Sequence, residues 1–216
     1  MTSNIPSFIE LAIKKKVLCF GKFTTKAGRL SPYFFNLGAF NDGQSLKELG
    51  KFYAQLIVDS GIKFDMLFGP AYKGIPLVSS IAIALVEHNT NIPYCFNRKE
   101  SKDHGEGGLI VGAPIQGRVL IIDDVISAGT SINESIEIIN NHGGEPAGVF
   151  VAIDRQEKGN TEISEISAIQ EVSNKFTIPA LSIINLGNII EYLENHDHFT
   201  EELFAIQKYR KEFGTN

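Results

Sequence analysis

From residue 64 onward the chain alternates short, continuously apolar runs with amphipathic segments, and this pattern restricts its architecture more than any other feature. The apolar runs fall at 64–68, 94–97, 119–122, 149–153 and 180–183. Between them, Val78, Ile81, Ala82 and Leu85 mark the inner side of a helix over 75–86, and Ile132, Ile136 and Ile139 that of one over 132–141, ended by Gly143 and Gly144. Strands without polar alternation are buried on both faces, so the pattern predicts an α/β fold with a mostly parallel, doubly wound sheet between helices. Right-handed crossovers then gather the loops that follow the strands at one sheet edge, where such folds bind ligands.

The N-terminal part reads differently. Ser7 with Glu10 offers a capping box for a first helix facing inward through Phe8, Leu11 and Ala12. Ser45 with Glu48 repeats that signature for a helix over 45–60, with Leu46, Leu49, Tyr53, Leu56 and Ile57 on one side and Gly61 as its stop. Between them, residues 23–40 set Gly28, Ser31, Pro32 and Gly38 among aromatics, which predicts hairpin-like strands or a structured hood too short to be an independent domain. At the other end, 186–193 and 201–213 read as two surface helices joined through 196–198.

With 216 residues and 43% apolar side chains, the chain has enough material for one packed domain. Twenty basic against 25 acidic residues leave a net charge of -5, which predicts no general affinity for nucleic acid or membrane surfaces while leaving room for a local basic pocket. Cys19 and Cys95 sit apart among apolar neighbours, the usage of free thiols in a reducing compartment. No export leader and no membrane-spanning run is evident, so the expected location is cytoplasmic. His88, His142, His196 and His198 show no metal-ligand spacing, so no structural zinc is expected.

The sharpest local signal spans 119–131. Four apolar residues lead directly into Asp123 and Asp124, followed by Ser127, Ala128, Gly129, Thr130 and Ser131 at a helix start. Carboxylates at a strand end can face ribose hydroxyls or a hydrated cation, while a small-residue turn and helix N-terminus supply N–H groups to a phosphate. An isolated Asp-Asp pair is equally an ordinary helix cap with solvent-facing aspartates. The missing Gly-Lys-[Ser/Thr] ending excludes a nucleoside-triphosphate loop. A second loop at 69–76 surrounds Tyr72 and Lys73 with compact residues before a helix, and reads either as a pyrophosphate site or as a surface turn carrying a lysine.

The whole 119–131 pattern resembles the phosphoribosyl pyrophosphate (PRPP) motif of type I phosphoribosyltransferases. The resemblance implies that Asp123 and Asp124 hold the ribose, that Ser127 to Ser131 hold the 5-phosphate, and that Tyr72 and Lys73 meet pyrophosphate. Glycine at 129 would let the backbone approach that phosphate.

Three further stretches resemble the orotate branch of this family. In 20–36 the resemblance implies that Lys26 reaches the substrates and that Phe34 and Phe35 line the base site; read alone, the two phenylalanines are core residues. In 97–108, Arg98, Lys99, Lys102 and His104 crowd a glycine-ended polar segment poorly suited to a buried strand, and otherwise a solvated linker. The resemblance makes it a flexible lid of about 98–110 whose Lys99, Lys102 and His104 act on the neighbouring subunit of a homodimer. In 151–157, Arg155 matches an orotate-binding arginine, with Asp154 orienting it or lying outside it; a surface ion pair is the alternative. Ser127 departs modestly from a threonine common among relatives; it keeps the hydroxyl and loses a methyl.

The resemblance covers 8–192 and implies a hood from about 1–40 plus C-terminal segments over a core of about 45–185. It also implies magnesium (Mg²⁺) bound mainly through PRPP and water, without a dedicated protein cage. A purine phosphoribosyltransferase would keep the 123–131 machinery but need another base pocket. A PRPP-sensing regulator that binds RNA would show a basic surface or a damaged lid, and neither is evident.

Overall fold

The structure is a computed structural model describing residues 4–25, 28–102, 108–126, 129–158 and 166–215, with only the backbone at 101 and 102. The chain runs α1 (Ile5–Lys14), β1 (Leu18–Thr24), β2 (Leu30–Phe35), α2 (Gly43–Ser60), β3 (Met66–Gly69), α3 (Gly74–Val86), β4 (Tyr94–Lys102) and β5 (Gly108–Gly112). It continues through β6 (Gly117–Ile122), α4 (Thr130–Asn141), β7 (Gly144–Asp154), α5 (Ala168–Phe176), β8 (Ala180–Asn185), α6 (Leu186–Glu194) and α7 (Thr200–Phe213).

The main sheet has six strands in the order β5-β4-β3-β6-β7-β8, parallel throughout except for the antiparallel β4-β5 edge. Alternation along the central strands sorts their side chains into two cores. Leu67, Leu120, Ile122, Phe150 and Ala152 pack with residues of α1, α2, α3, α6 and α7. Met66, Phe68, Val119, Ile121, Val149 and Val151 pack with Ile132, Ile136 and Ile139 of α4 and Ile169 and Val172 of α5. Successive strand residues point to opposite faces, so fully apolar strands need helices on both sides. This is the doubly wound sheet the pattern predicts. A separate antiparallel pair, β1-β2, packs against α1 and α7.

From β3 the chain winds outward to β4, then crosses back to place β6 on the other flank of β3. The strand order therefore reverses between β3 and β6, and the loops leaving their C-terminal ends face each other across a crevice.

Several local expectations change. The first helix starts at Ile5 with Pro6 in its first turn and no side-chain cap, and buries Ile9 while Leu11 stays half-exposed; the proline pre-sets helical φ where its missing N–H costs nothing. The capping box of α2 is Asp42 with Ser45, one turn upstream of Ser45 with Glu48, because Asp42 Oδ1 accepts from Ser45 N at 2.8 Å. The polar 98–102 stretch continues β4 beyond the end of its pairing with β3, and meets the edge strand β5 at Lys102–Gly108 after an irregularity in register. Helix α6 is not a surface helix: Leu186, Ile189, Ile190 and Leu193 are buried. Helix α5, capped by Ser167 with Gln170, had no reading from the sequence.

Candidate active site

At the crevice, β6 delivers Asp123 and Asp124 almost buried, with 7% and 9% exposure. Their backbones extend the sheet pairing, Asp123 N donating to Phe150 O at 3.0 Å and Asp124 O accepting from Ala152 N at 3.0 Å. From α2, the Tyr53 hydroxyl donates to Asp123 O at 2.7 Å. The Asp123 carboxylate accepts from Asp124 N (2.8 Å) and from Ser131 Oγ (2.9 Å), which ties it to the first turn of α4. Asp124 pairs instead with Lys73 across the crevice, Nζ to Oδ2 at 2.5 Å.

Burial first, and the neighbouring Asp124 charge second, push the Asp123 carboxyl up to about 6. The protonated form is thus favoured by folding relative to a free aspartate, which titrates near ~3.9. Below that value both folded and unfolded chains are protonated and nothing is lost; as pH rises through about 6, ionisation costs the folded chain stability. Asp123→Asn is therefore expected to stabilise the unliganded protein above pH 6, by up to about 3 kcal/mol, with the gain fading toward pH 4. Urea unfolding at pH 8 and pH 4.5 measures this, and an equal effect at both values would remove the buried carboxylate as its cause.

Lys73 stands on the loop between β3 and α3. A Cβ on Gly69 would lie 2.3 Å from Gly74 O, and one on Gly74 2.6 Å from Gly69 C, so the loop folds back on itself only with both positions bare. Its Ala71–Tyr72 peptide is cis, and Ala71 N donates to Asn97 Oδ1 of β4 at 2.9 Å. Tyr72 is largely exposed.

On the other flank, Gly129 caps α4 with φ +69°. A Cβ there meets nothing closer than Val172 Cγ2 at 3.9 Å. The left-handed backbone at this position is by itself a reason for glycine at 129. Thr130 and Ser131 follow in the first helical turn with their N–H groups toward the helix start.

Arg155 follows β7 and is mostly buried, with 20% of its side chain exposed, so it is no surface ion pair. It pairs with Glu157 (NH2 to Oε1, 2.6 Å), donates to Ser31 Oγ at 3.2 Å, and lies over the Tyr33 ring with Cζ 4.3 Å from the centroid. Burial works against its charge, while Tyr33 and Glu157 more than compensate and keep it protonated. Asp154 does not orient it: that carboxylate accepts from Gln156 N (2.9 Å) and Ser167 Oγ (3.3 Å). Phe34 is 46% exposed and stacks on Phe23, which removes the reading of it as a core residue; Phe35 is half-buried against the core.

A cavity of about 620 Å³ brings these parts together, with Phe34, Phe35, Tyr72, Lys73, Lys99, Asp123, Asp124, Ser131 and Arg155 on its walls. Lys99 faces the cavity of its own chain. Arg98 lies on the same strand, its NH1 donating to Gly108 O at 3.1 Å. Gly129 and Thr130 adjoin Ser131 at the α4 start. Lys26, His104, Ser127, Ala128 and the Lys102 side chain lie outside the described residues. Glu157, Tyr33, Asn97 and Arg29 are the additions the sequence reading missed; Glu157 alone carried a local signal, two positions after the arginine at a strand end.

The comparisons agree with this geometry. The Phosphoribosyl transferase domain family matches residues 36–180. The chain is 60% identical over 208 residues to the orotate phosphoribosyltransferase of Nitrosospira multiformis, covering 96% of this chain and 90% of that one. It is 58% identical over 214 residues to that of Thiobacillus denitrificans, covering 99% and 100%. The crystal structure of orotate phosphoribosyltransferase from Francisella tularensis matches with a TM-score of 0.86 at 45% identity, covering 97% of this chain and all (100%) of that one. With a switch-point crevice, an aspartate pair and a buried arginine in one cavity, the chain belongs to the orotate phosphoribosyltransferases, within the type I phosphoribosyltransferase family.

Proposed function

We infer that this protein transfers the ribose 5-phosphate of PRPP to orotate, releasing pyrophosphate and forming orotidine 5′-phosphate on the route to UMP. The observation that carries this reading is one cavity lined both by the Lys73–Asp124 pair and by the stacked, mostly buried Arg155. It joins an anion site for a leaving diphosphate to one for a flat, anionic base.

In this reading Asp123 and Asp124 hold the ribose hydroxyls, and the α4 start, Ser127 to Ser131, holds the 5-phosphate. As the bond from the anomeric carbon to pyrophosphate stretches, positive charge grows on the ribose ring and negative charge on the departing oxygens. The carboxylates complement the first; Tyr72, Lys73, Arg98 and Lys99 meet the second. Phe34 and Phe35 stack beside the base, Arg155 and Lys26 pair with its charge, and a base nitrogen attacks from the face opposite the leaving group. No protein nucleophile is required.

The donor set fits a hydrated Mg²⁺ shared with the substrate rather than a caged ion. Two adjacent carboxylates are present, one already paired with Lys73, which leaves most of the ion's ligands to the substrate and water. When bound, the cation neutralises charge on the diphosphate.

Lys102 and His104 belong to a lid that reaches the neighbouring site of a homodimer and excludes water. Lys99, on the wall of its own chain's cavity, acts within its own subunit. The hood is the β1-β2 hairpin with C-terminal segments, over a core of about 45–185. No described helix is long and apolar enough to cross a membrane, and two free cysteines suit a cytoplasmic setting.

The test is to incubate the purified protein with Mg²⁺, PRPP and separately orotate, adenine or hypoxanthine, and to quantify pyrophosphate and nucleotide. Orotidine 5′-phosphate is expected with orotate alone, and none after chelation of the metal. Product with a purine but not with orotate would overturn the substrate assignment.

A further inference from the structure

Arg155 is held by an arrangement that the transfer reaction as described leaves unexplained. Its Nε donates to Glu157 Oε1 at 2.9 Å, its NH2 lies 2.6 Å from that oxygen in an ion pair, and the buried Tyr33 hydroxyl donates to the same oxygen at 3.3 Å. The guanidinium therefore has one face on the Tyr33 ring and one edge committed to Glu157 and Ser31. The Tyr209 hydroxyl lies beside the same ion pair, and Arg155 lines the cavity. A side chain with this much rotamer freedom ordinarily loses it at an entropic cost on binding; here the protein has already fixed it.

The backbone explains how a carboxylate two residues away reaches that edge. Gln156 sits in the left-handed region with φ +49°, unusual for a residue with a side chain. It is held there from three elements: its N–H donates to Asp154 Oδ1 (2.9 Å), its Oε1 accepts from Gly187 N of α6 (2.8 Å), and its carbonyl accepts from Thr215 N (2.8 Å). The end of the chain extends this clamp, Lys158 N donating to Phe213 O at 2.9 Å and Glu157 bridging to Gly214. The hairpin closes it from the other side, since Arg29 donates to Lys158 O at 3.0 Å and lies over Phe213.

We propose that Glu157 is a positioning residue for base recognition: clamped by the C-terminal segment and Tyr33, it holds Arg155 in the one pose that meets the substrate carboxylate. This deepens, and rests on, the assignment of orotate as the base. A neutral side chain at 157 leaves the mostly buried guanidinium without its counter-charge, and the arginine then leaves this pose for water or another partner.

The experiment is a double-mutant cycle read as separate KM values for orotate and PRPP. Glu157→Gln is expected to raise the orotate KM about tenfold, the size of a lost charge-assisted hydrogen bond, and to move the PRPP KM by less than about twofold. In a chain already carrying Arg155→Ala, the same substitution is expected to change the orotate KM by less than about twofold, because nothing remains for Glu157 to position. Tyr33→Phe removes only the hydroxyl on the shared oxygen, and gives a smaller rise of the same sign should Glu157→Gln fail to fold. Effects that multiply in the double variant, or KM values that rise equally for both substrates, overturn the proposal. Wild-type protein that does not turn over orotate sinks the substrate assignment and this inference with it; active wild-type protein with multiplying effects sinks the inference alone.

Discussion

Asp124→Asn is expected to lower kcat/KM for PRPP by about 10²- to 10³-fold while leaving the fold intact. The backbone of Asp124 continues the sheet through Ala152, and the amide keeps the shape of the side chain, so secondary structure and melting cooperativity should persist. What disappears is the charge that pairs with Lys73 and that, in the proposed reaction, complements the ribose in the transition state. Steady-state formation of orotidine 5′-phosphate over a range of PRPP measures the effect, and a loss smaller than about tenfold would remove Asp124 from the reacting centre. The same variant tests the shared site. Mixed in equal amounts with Lys102→Ala chains and allowed to exchange subunits, it should recover about a quarter of wild-type activity, since half the random dimers are hybrids and each hybrid has one site with both parts intact. No recovery despite demonstrated exchange would confine the lid to its own subunit.

Arg155→Ala is expected to raise the orotate KM by about 30- to 100-fold, with PRPP affinity nearly unchanged. The change removes the cation proposed to meet the base carboxylate and leaves Glu157 buried without its partner, which adds a loss of stability of about 1–3 kcal/mol. Arg155→Lys should recover little. An ammonium is a point charge, and it cannot stack on Tyr33, bond Glu157 and Ser31, and still present a donor to the substrate. Initial rates at varied orotate and saturating PRPP decide the matter: a lysine variant with near wild-type orotate KM would show that charge alone suffices.

Both predictions concern groups whose type was legible in the sequence and whose partners were not. Asp123, Asp124 and Gly129 follow one another along the chain at a strand end and a helix start, so a local pattern locates them. The same holds for the strand cores of β3, β6 and β7, whose unbroken apolar character announces helices on both faces. The partners came from far away. Lys73 and Asp124 are 51 residues apart, and Arg155 meets Ser31 from 124 residues away. The reading of Asp154 as the group orienting Arg155 failed for this reason: adjacency favoured it, but the left-handed turn at Gln156 brings Glu157 to the guanidinium instead.

Neither the full length of β4 nor helix α5 was legible from local pattern. The basic run at 98–102, read as poorly suited to a buried strand, continues β4 past the end of its pairing with β3, where Arg98 is half-buried and Lys99 exposed and the charges need no buried partner. Helix α5 was overlooked because its buried side rests chiefly on Ile169 and Val172, too few apolar positions to mark a period.

The amino-acid sequence by itself determined the class of sheet, the place where its strands end in carboxylates, and the small residues that open α4, because each depends on interactions within a few residues. Only the tertiary structure decided which cation meets which carboxylate, how deeply Arg155 is buried, and that the C-terminal segment braces it from behind. Those outcomes depend on strand order and crossovers, which bring distant residues together after the chain has bent, and no local preference encodes that distance.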